Sequence, residues 1–211
     1  MRNTYRFLYR LRLTPWENSR PPQQLIALAR VEPPRIAVDL GCGTGTQARY
    51  LAGLGWKVTA VDYLPEAIAG ARRRDPTCQV TWRTADVAAP EQVDPDGSLA
   101  GTVNLLLDNG CMHGLSPQSR QRWAGTVTRL AAADACLLLR AAAPGRRLVG
   151  PRGAARTELL RLLGPHWQSP AALGNGWHLF RRGQGRRVER MPAFGQPDTA
   201  VQRLPGVGRF D

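Results

Sequence analysis

Val38-Asp39-Leu40-Gly41-Cys42-Gly43-Thr44-Gly45 lies where an apolar run gives way to helical spacing. Residues 35–40 predict a buried strand ended by the glycine cluster, and residues 46–54 a helix that stops at Gly55. Glycines between a strand and a helix let the backbone turn tightly and approach a ligand closely, which a Cβ would obstruct. In open α/β sheets, ligands bind in the crevice at the carboxyl ends of the strands, so this loop is expected to be the ligand platform. Its spacing is Gly-x-Gly-x-Gly. A dinucleotide fingerprint needs Gly-x-Gly-x-x-Gly, and the place of the third glycine is held by Thr46. Asp39, two residues before Gly41, also suits a cation or an amino group better than a pyrophosphate.

Moving outward, the same unit repeats. Residues 57–61 read as a second strand, 65–74 as a helix with Pro65 in its first turn, and 79–83 as a third strand. A turn-rich stretch, 89–97, separates these from a fourth, central strand at 103–107. Residues 118–132 predict a helix, 136–140 a fifth strand and 154–163 an amphipathic helix. Residues 177–180 read as a strand paired antiparallel with residues near 171–173. Alternating strands and crossover helices predict an α/β fold with a Rossmann-like, doubly wound, mostly parallel sheet between helical layers. No internal repeat is present. At the end of the second strand, seventeen residues after Gly45, Asp62 offers a carboxylate able to accept both ribose hydroxyls of a nucleoside, with Tyr63 and Leu64 flanking its base.

Asp39-Leu40-Gly41-Cys42-Gly43-Thr44-Gly45 followed by Val61-Asp62-Tyr63-Leu64-Pro65-Glu66 resembles the class I S-adenosylmethionine-dependent methyltransferases, over about residues 35–140. The resemblance implies a seven-stranded sheet with a C-terminal antiparallel strand and S-adenosyl-L-methionine as cofactor. It assigns the glycine loop to Asp39, Gly41, Cys42, Gly43 and Gly45, the ribose to Asp62, and the adenine to Tyr63 and to Asp86 with its neighbour Val87. Thr14-Pro15-Trp16-Glu17 and Leu107-Asp108-Asn109-Gly110-Cys111-Met112-His113 are most similar to small thiopurine- and tellurite-resistance-type enzymes. In these the N-terminal segment folds over the cofactor. Residues 1–34 are therefore expected to form a helical lid, 35–182 the methyltransferase domain and 183–211 an irregular basic tail. Trp16 either touches the cofactor or anchors an amphipathic helix on the core.

Methyl transfer is an in-line displacement in which the protein mainly positions the reactants. Asp108, ending the fourth strand, is expected to face the crevice and contact cofactor or acceptor. Two readings of His113 stand: a general base for a protonated acceptor, or a histidine that caps the helix starting near Ser116 or packs under the lid. Cys42 and Cys111 lack the Pro-Cys setting of cytosine-C5 enzymes, and Asp108-Asn109-Gly110-Cys111 is unlike the Asp/Asn-Pro-Pro-Tyr of enzymes that methylate nucleic-acid amines. No ligand-spaced cluster suggests a metal, so transfer is expected to be metal-independent.

The 211 residues suit one domain, and the longest apolar runs, such as residues 135–139, are far short of a bilayer span. Arg6, Arg10 and Arg12 interrupt any secretory signal, and the four cysteines form no Cys-x-x-Cys pair, so reduced thiols and a cytoplasmic location are expected. Of the net charge of +13, residues 1–35 carry seven arginines against two acids and residues 140–211 thirteen against four, while the middle is near neutral. The basic flanks are either solvated faces of an arginine-rich chain or a rim that attracts anions. The expected partner is a small-molecule methyl acceptor. An RNA acceptor and a regulatory module that binds the cofactor without turnover are the alternatives.

Overall fold

The computed structural model describes residues 20–145 and 153–183. After a first helix, α1 (Gln23–Val31), the chain alternates β1 (Ile36–Leu40), α2 (Thr46–Gly53), β2 (Lys57–Asp62), α3 (Pro65–Arg73) and β3 (Val80–Thr84). It continues with a short α4 (Pro90–Val93), β4 (Val103–Asn109), a 3-10 turn (Met112–Gly114), α5 (Pro117–Leu130), β5 (Ala131–Arg140), α6 (Arg156–Leu163), β6 (Ala171–Ala172) and β7 (Trp177–Arg181). The strands form one seven-stranded sheet in the order β3-β2-β1-β4-β5-β7-β6. β1 to β5 pair in parallel, and β7 runs antiparallel to both β5 and β6. This is the expected Rossmann-like α/β fold.

The strands read as near-continuous apolar runs because helices cover both sheet faces. On one face Val38, Leu40, Leu106, Leu137 and Leu139 pack with Trp123 and Val127 of α5 and Leu159 of α6. On the other Ala37, Val58, Leu105, Leu107 and Leu138 pack with Leu25 and Leu28 of α1 and Leu51 of α2. Successive strand residues point to opposite faces, so one run of leucines serves two cores. The strand order reverses between β1 and β4, which opens a crevice at their carboxyl ends.

Most expected boundaries lie within one or two residues of those observed. The exception is the α5–β5 junction, where the predicted helix over residues 118–132 ends at Leu130 and the strand begins at Ala131, five residues before its predicted start. Ala131 and Ala132 favour a helix locally, but pairing of Ala131 with Val103 draws them into the sheet, followed by a register shift before Cys136 meets Leu105. Of the segment expected as a lid, α1 packs along the sheet, and Glu32 at its end pairs with Arg181 of β7 at 2.8 Å. Residues 1–19, and with them Trp16, lie outside the described residues, as do residues 184–211 of the expected tail. Among the described residues no helix is long and apolar enough to cross a membrane.

Candidate active site

The glycine loop leaves β1 by doubling back on β2: the backbone N–H groups of Gly41 and Cys42 both donate to the Val61 carbonyl, at 2.8 and 3.0 Å. Gly41, Gly43 and Gly45 have φ of 76°, 55° and 79°, in the left-handed region that disfavours side chains. Space excludes side chains as well. A Cβ on Gly41 would lie 2.5 Å from the Cβ of Cys111, and one on Gly45 2.2 Å from the Trp82 ring. The loop is thus held between the turn after β4 and an indole of β3. Trp82 is itself fixed, donating Nε1–H to Asp75 at 2.9 Å, and Asp75 also accepts from the backbone of Gln79 and Val80.

Three carboxylates converge at the ends of β1, β2 and β4. Asp62, 6% exposed, accepts from Gly43 N–H at 3.0 Å through one oxygen and from Leu64 N–H at 2.9 Å through the other. It therefore shapes the glycine loop. Asp39 is 2% exposed, and its Oδ2 has no hydrogen-bond partner among the described residues. Burial first, then the charges of Asp108 and Asp62, push its pKa up to about 8, against the pull of one backbone N–H at Ala48. A buried carboxyl with an unpartnered oxygen and two acidic neighbours calls for a cation.

Asp108 is turned the other way. It does not face the crevice as expected: it is fully buried and accepts from the N–H groups of Gly110, Cys111 and Met112. The chain bends sharply at Gly110, with φ of 93°, so the carboxylate folds back to hold the 3-10 turn. Burial raises its pKa to about 7, opposed by those N–H groups.

Beyond β2 and β3, a depression of about 200 Å³ is lined by Tyr63, Thr84, Ala85, Asp86 and Gln92. Asp86 there accepts from Ala88 N–H at 2.9 Å, and its own N–H donates to the Gln92 side chain at 3.1 Å. Val87 points into the core and is 4% exposed. A larger groove of about 550 Å³, lined by Gln121, Arg129 and His166 among others, lies at the amino ends of β4 and β5, away from the glycine loop.

His113 stands on the 3-10 turn, and its Nδ1 accepts from Ala142 N–H at 2.9 Å. It does not cap α5; the Ser116 side chain does, accepting from Ser119 N–H. None of the four cysteines forms a disulfide among the described residues. Burial, then the Asp108 charge, pushes the Cys111 thiol well above its ordinary range, which disfavours a thiolate nucleophile. Among the described residues no three His, Cys, Asp or Glu side chains group closely enough to hold a metal ion.

Residues 37–134 match the family model described as a methyltransferase domain. A 2-heptyl-1-hydroxyquinolin-4(1H)-one methyltransferase from Mycobacteroides abscessus is 26% identical over 183 residues, 82% of this chain and 78% of that protein. These matches make the chain an S-adenosylmethionine-dependent methyltransferase enzyme, similar over residues 37–134 to the methyltransferase-domain family. Its fold is shared with the 1,6-didemethyltoxoflavin-N1-methyltransferase of Burkholderia thailandensis, solved with 1,6-didemethyltoxoflavin and S-adenosylhomocysteine (TM-score 0.64, 23% identity, 87% of each chain). It is shared too with a TehB-like SAM-dependent methyltransferase from Corynebacterium glutamicum (TM-score 0.57, 20% identity, 75% of this chain and 85% of that one).

Several residues that build this methyltransferase site carry no motif. Trp82 on β3, separated from β1 by β2, and Asp75 just before it support the loop, and a bulky residue beneath a glycine shows only when the strands are paired. Arg120, 5% exposed, donates to the carbonyls of His113, Leu115 and Gly153 and to both oxygens of Glu158. Within an arginine-rich chain it has no sequence signal; only its position on the buried side of α5 does, beside Trp123 and Ala124.

Proposed function

We propose that this methyltransferase moves the methyl group of S-adenosylmethionine to a sulfur, oxygen or nitrogen atom of a small molecule by direct in-line displacement, without a metal ion. The observation that carries the reading is the unpartnered Oδ2 of Asp39 among three buried carboxyls beside the glycine loop. S-adenosylmethionine brings a methyl on a sulfonium cation together with an ammonium group, and its leaving group departs as a neutral thioether. Asp39 answers that positive charge. Asp62 takes the ribose while holding Gly43, and Tyr63, Asp86 and Gln92 line the place for the adenine. Gly41, Cys42, Gly43 and Gly45 supply the close backbone, and Val87 and Asp108 support it from below. In this reading the enzyme works in the cytoplasm.

Two observations support a small acceptor. The relatives named above are, by their names, methyltransferases of 2-heptyl-1-hydroxyquinolin-4(1H)-one and of 1,6-didemethyltoxoflavin. The turn after β4 is closed tightly by Asp108 and Arg120, which favours a fixed and narrow acceptor site. The test is isothermal titration with S-adenosylmethionine and S-adenosylhomocysteine, with nicotinamide cofactors as controls, followed by a screen of thiols, phenols and N-hydroxy heterocycles. Binding of the first pair alone, with turnover of a screened acceptor, is expected. Cofactor binding without turnover of any acceptor would favour a regulatory module instead.

A further inference from the structure

The groove at the amino ends of β4 and β5 has no part in methyl transfer, yet at about 550 Å³ it is more spacious than the depression of about 200 Å³ beside Tyr63. That volume is ordinary for a small-molecule site. Its room comes from small residues. Gly101 and Gly125 both line it, and a Cβ at either position would meet no atom within 4 Å. Ala124 lies beside them, and Leu162 of α6 with Pro165 after it supplies an apolar wall.

The frame is fixed by contacts between segments far apart in the chain. Trp167, 4% exposed, donates Nε1–H to the Thr128 hydroxyl at 3.1 Å and pairs as a β-bridge with Arg182. Arg182 donates through Nη1 to the carbonyls of Thr128 and Ala131, and Gly101 N–H donates to the Arg129 carbonyl at 2.9 Å. Carbonyls at the end of α5 are thereby satisfied, which offsets the negative end of that helix.

The charged lining has one sign. Arg129, His166 and Arg182 line the groove, and among the described residues no carboxylate does. Acids near the lining along the chain are engaged elsewhere: Asp134 with Arg35 at 2.7 Å and with Asn104, Asp96 with Ser98, and Glu158 with Arg120. Both bonds of Arg182 use Nη1, so Nε and Nη2 keep their donors for a ligand. Guanidinium donors opposed by no acid suit an anion that accepts several N–H groups at once, as a phosphate does. β5 runs ten residues from Ala131, at the groove, to Arg140, at the crevice. At about 3.3 Å per residue the two ends lie roughly 30 Å apart, so a ligand here cannot also receive the methyl group.

We propose that this groove is a second binding site, for a small organic phosphate whose phosphate lies among Arg129, His166 and Arg182 and whose apolar part lies on Ala124, Leu162 and Pro165. The test is titration of the full chain with phenyl phosphate, followed in 1H–15N correlation spectra, with S-adenosylhomocysteine saturating the crevice so that the probe cannot enter it. The amides of Gly101 and Gly125 report on the groove, and those of Gly41, Gly43 and Gly45 on the crevice. Shifts at the first pair alone are expected, with Kd below about 10 mM. Arg129→Gln and His166→Gln, both at exposed positions, should each weaken phenyl phosphate about 5- to 10-fold and leave cofactor Kd unchanged. Inorganic phosphate should bind about tenfold more weakly than phenyl phosphate, because it leaves Leu162 and Pro165 uncovered. No shift at Gly101 and Gly125 up to about 10 mM phenyl phosphate, equal binding in Arg129→Gln, or equal binding of inorganic phosphate would overturn the proposal. A single-stranded RNA oligonucleotide is the contrasting ligand: RNA that shifts Gly101 and Gly125 where phenyl phosphate does not would overturn the small-ligand assignment in favour of a polymer. Failure of S-adenosylhomocysteine to bind would count against the cofactor site and not against the groove, whose glycines report separately.

Discussion

Cofactor binding should release a proton from Asp39, and the size of the effect follows from its surroundings. With its pKa pushed up to about 8 by burial and by Asp108 and Asp62, Asp39 is mostly protonated at neutral pH in the ligand-free enzyme. A cation seated against it favours the ionised form. Ionising a group about one unit below its pKa costs about 1.4 kcal/mol, so Kd for S-adenosylmethionine should improve about tenfold from pH 6 to pH 7 and about fivefold from pH 7 to pH 8, where about half of Asp39 is already ionised. Above about pH 8 the dependence should flatten. Titration calorimetry in two buffers of different ionisation enthalpy counts the protons released: close to one per cofactor at pH 7 for the wild type and none from this site in Asp39→Asn. The same variant separates this proton from any released by the ligand's own amino group. A Kd that does not vary between pH 6 and pH 8, or equal proton release in both proteins, would refute the reasoning. The same shift bears on stability with a definite sign. An acid whose pKa is raised by folding binds more protons in the folded state, so its contribution is most favourable below about pH 3.8 and is lost as pH rises toward about 8. Asp39→Asn should therefore raise the Tm of the ligand-free enzyme at pH 8, and a lowered Tm there would contradict the burial argument.

Asp62→Ala should weaken S-adenosylmethionine binding by about 1.5–3 kcal/mol, through the lost ribose contact and a loosened Gly43, and unchanged affinity in calorimetry would overturn the ribose assignment. Gly45→Ala must move the Trp82 ring and adopt a left-handed φ, so it should lower stability by about 1–3 kcal/mol in urea unfolding and abolish cofactor binding; a fully stable, fully binding variant would contradict the clamp. Arg120→Ala leaves Glu158 and three carbonyls without their donor and should cost about 3 kcal/mol in the same assay, whereas a cost below about 1 kcal/mol would show the clamp to be dispensable. If the basic flanks serve an RNA acceptor, RNA binding should fall steeply with salt; weak, salt-independent binding in a filter assay would leave the small-molecule reading in place.

What the amino-acid sequence determined by itself was whatever depends on neighbours along the chain. The runs of residues 36–40, 57–62 and 103–109 are apolar because both faces of a parallel sheet are covered, and Gly41, Gly43 and Gly45 mark a turn that only glycine makes easily. That was enough for the fold class and the place of the crevice. The end of α5 was misplaced because the alanines at 131 and 132 favour a helix locally, and only pairing with Val103 pulls them into a strand. The tertiary structure alone decided the direction in which each carboxylate turns. Asp39 and Asp108 both sit near the ends of central strands, yet one keeps an unpartnered oxygen while the other is engaged by three backbone N–H groups. Which of these happens depends on where the chain goes after Gly110. The same holds for Trp82 beneath Gly45 and Arg120 behind His113, contacts between segments far apart in the chain whose partners are set by strand order and helix packing and by no local pattern.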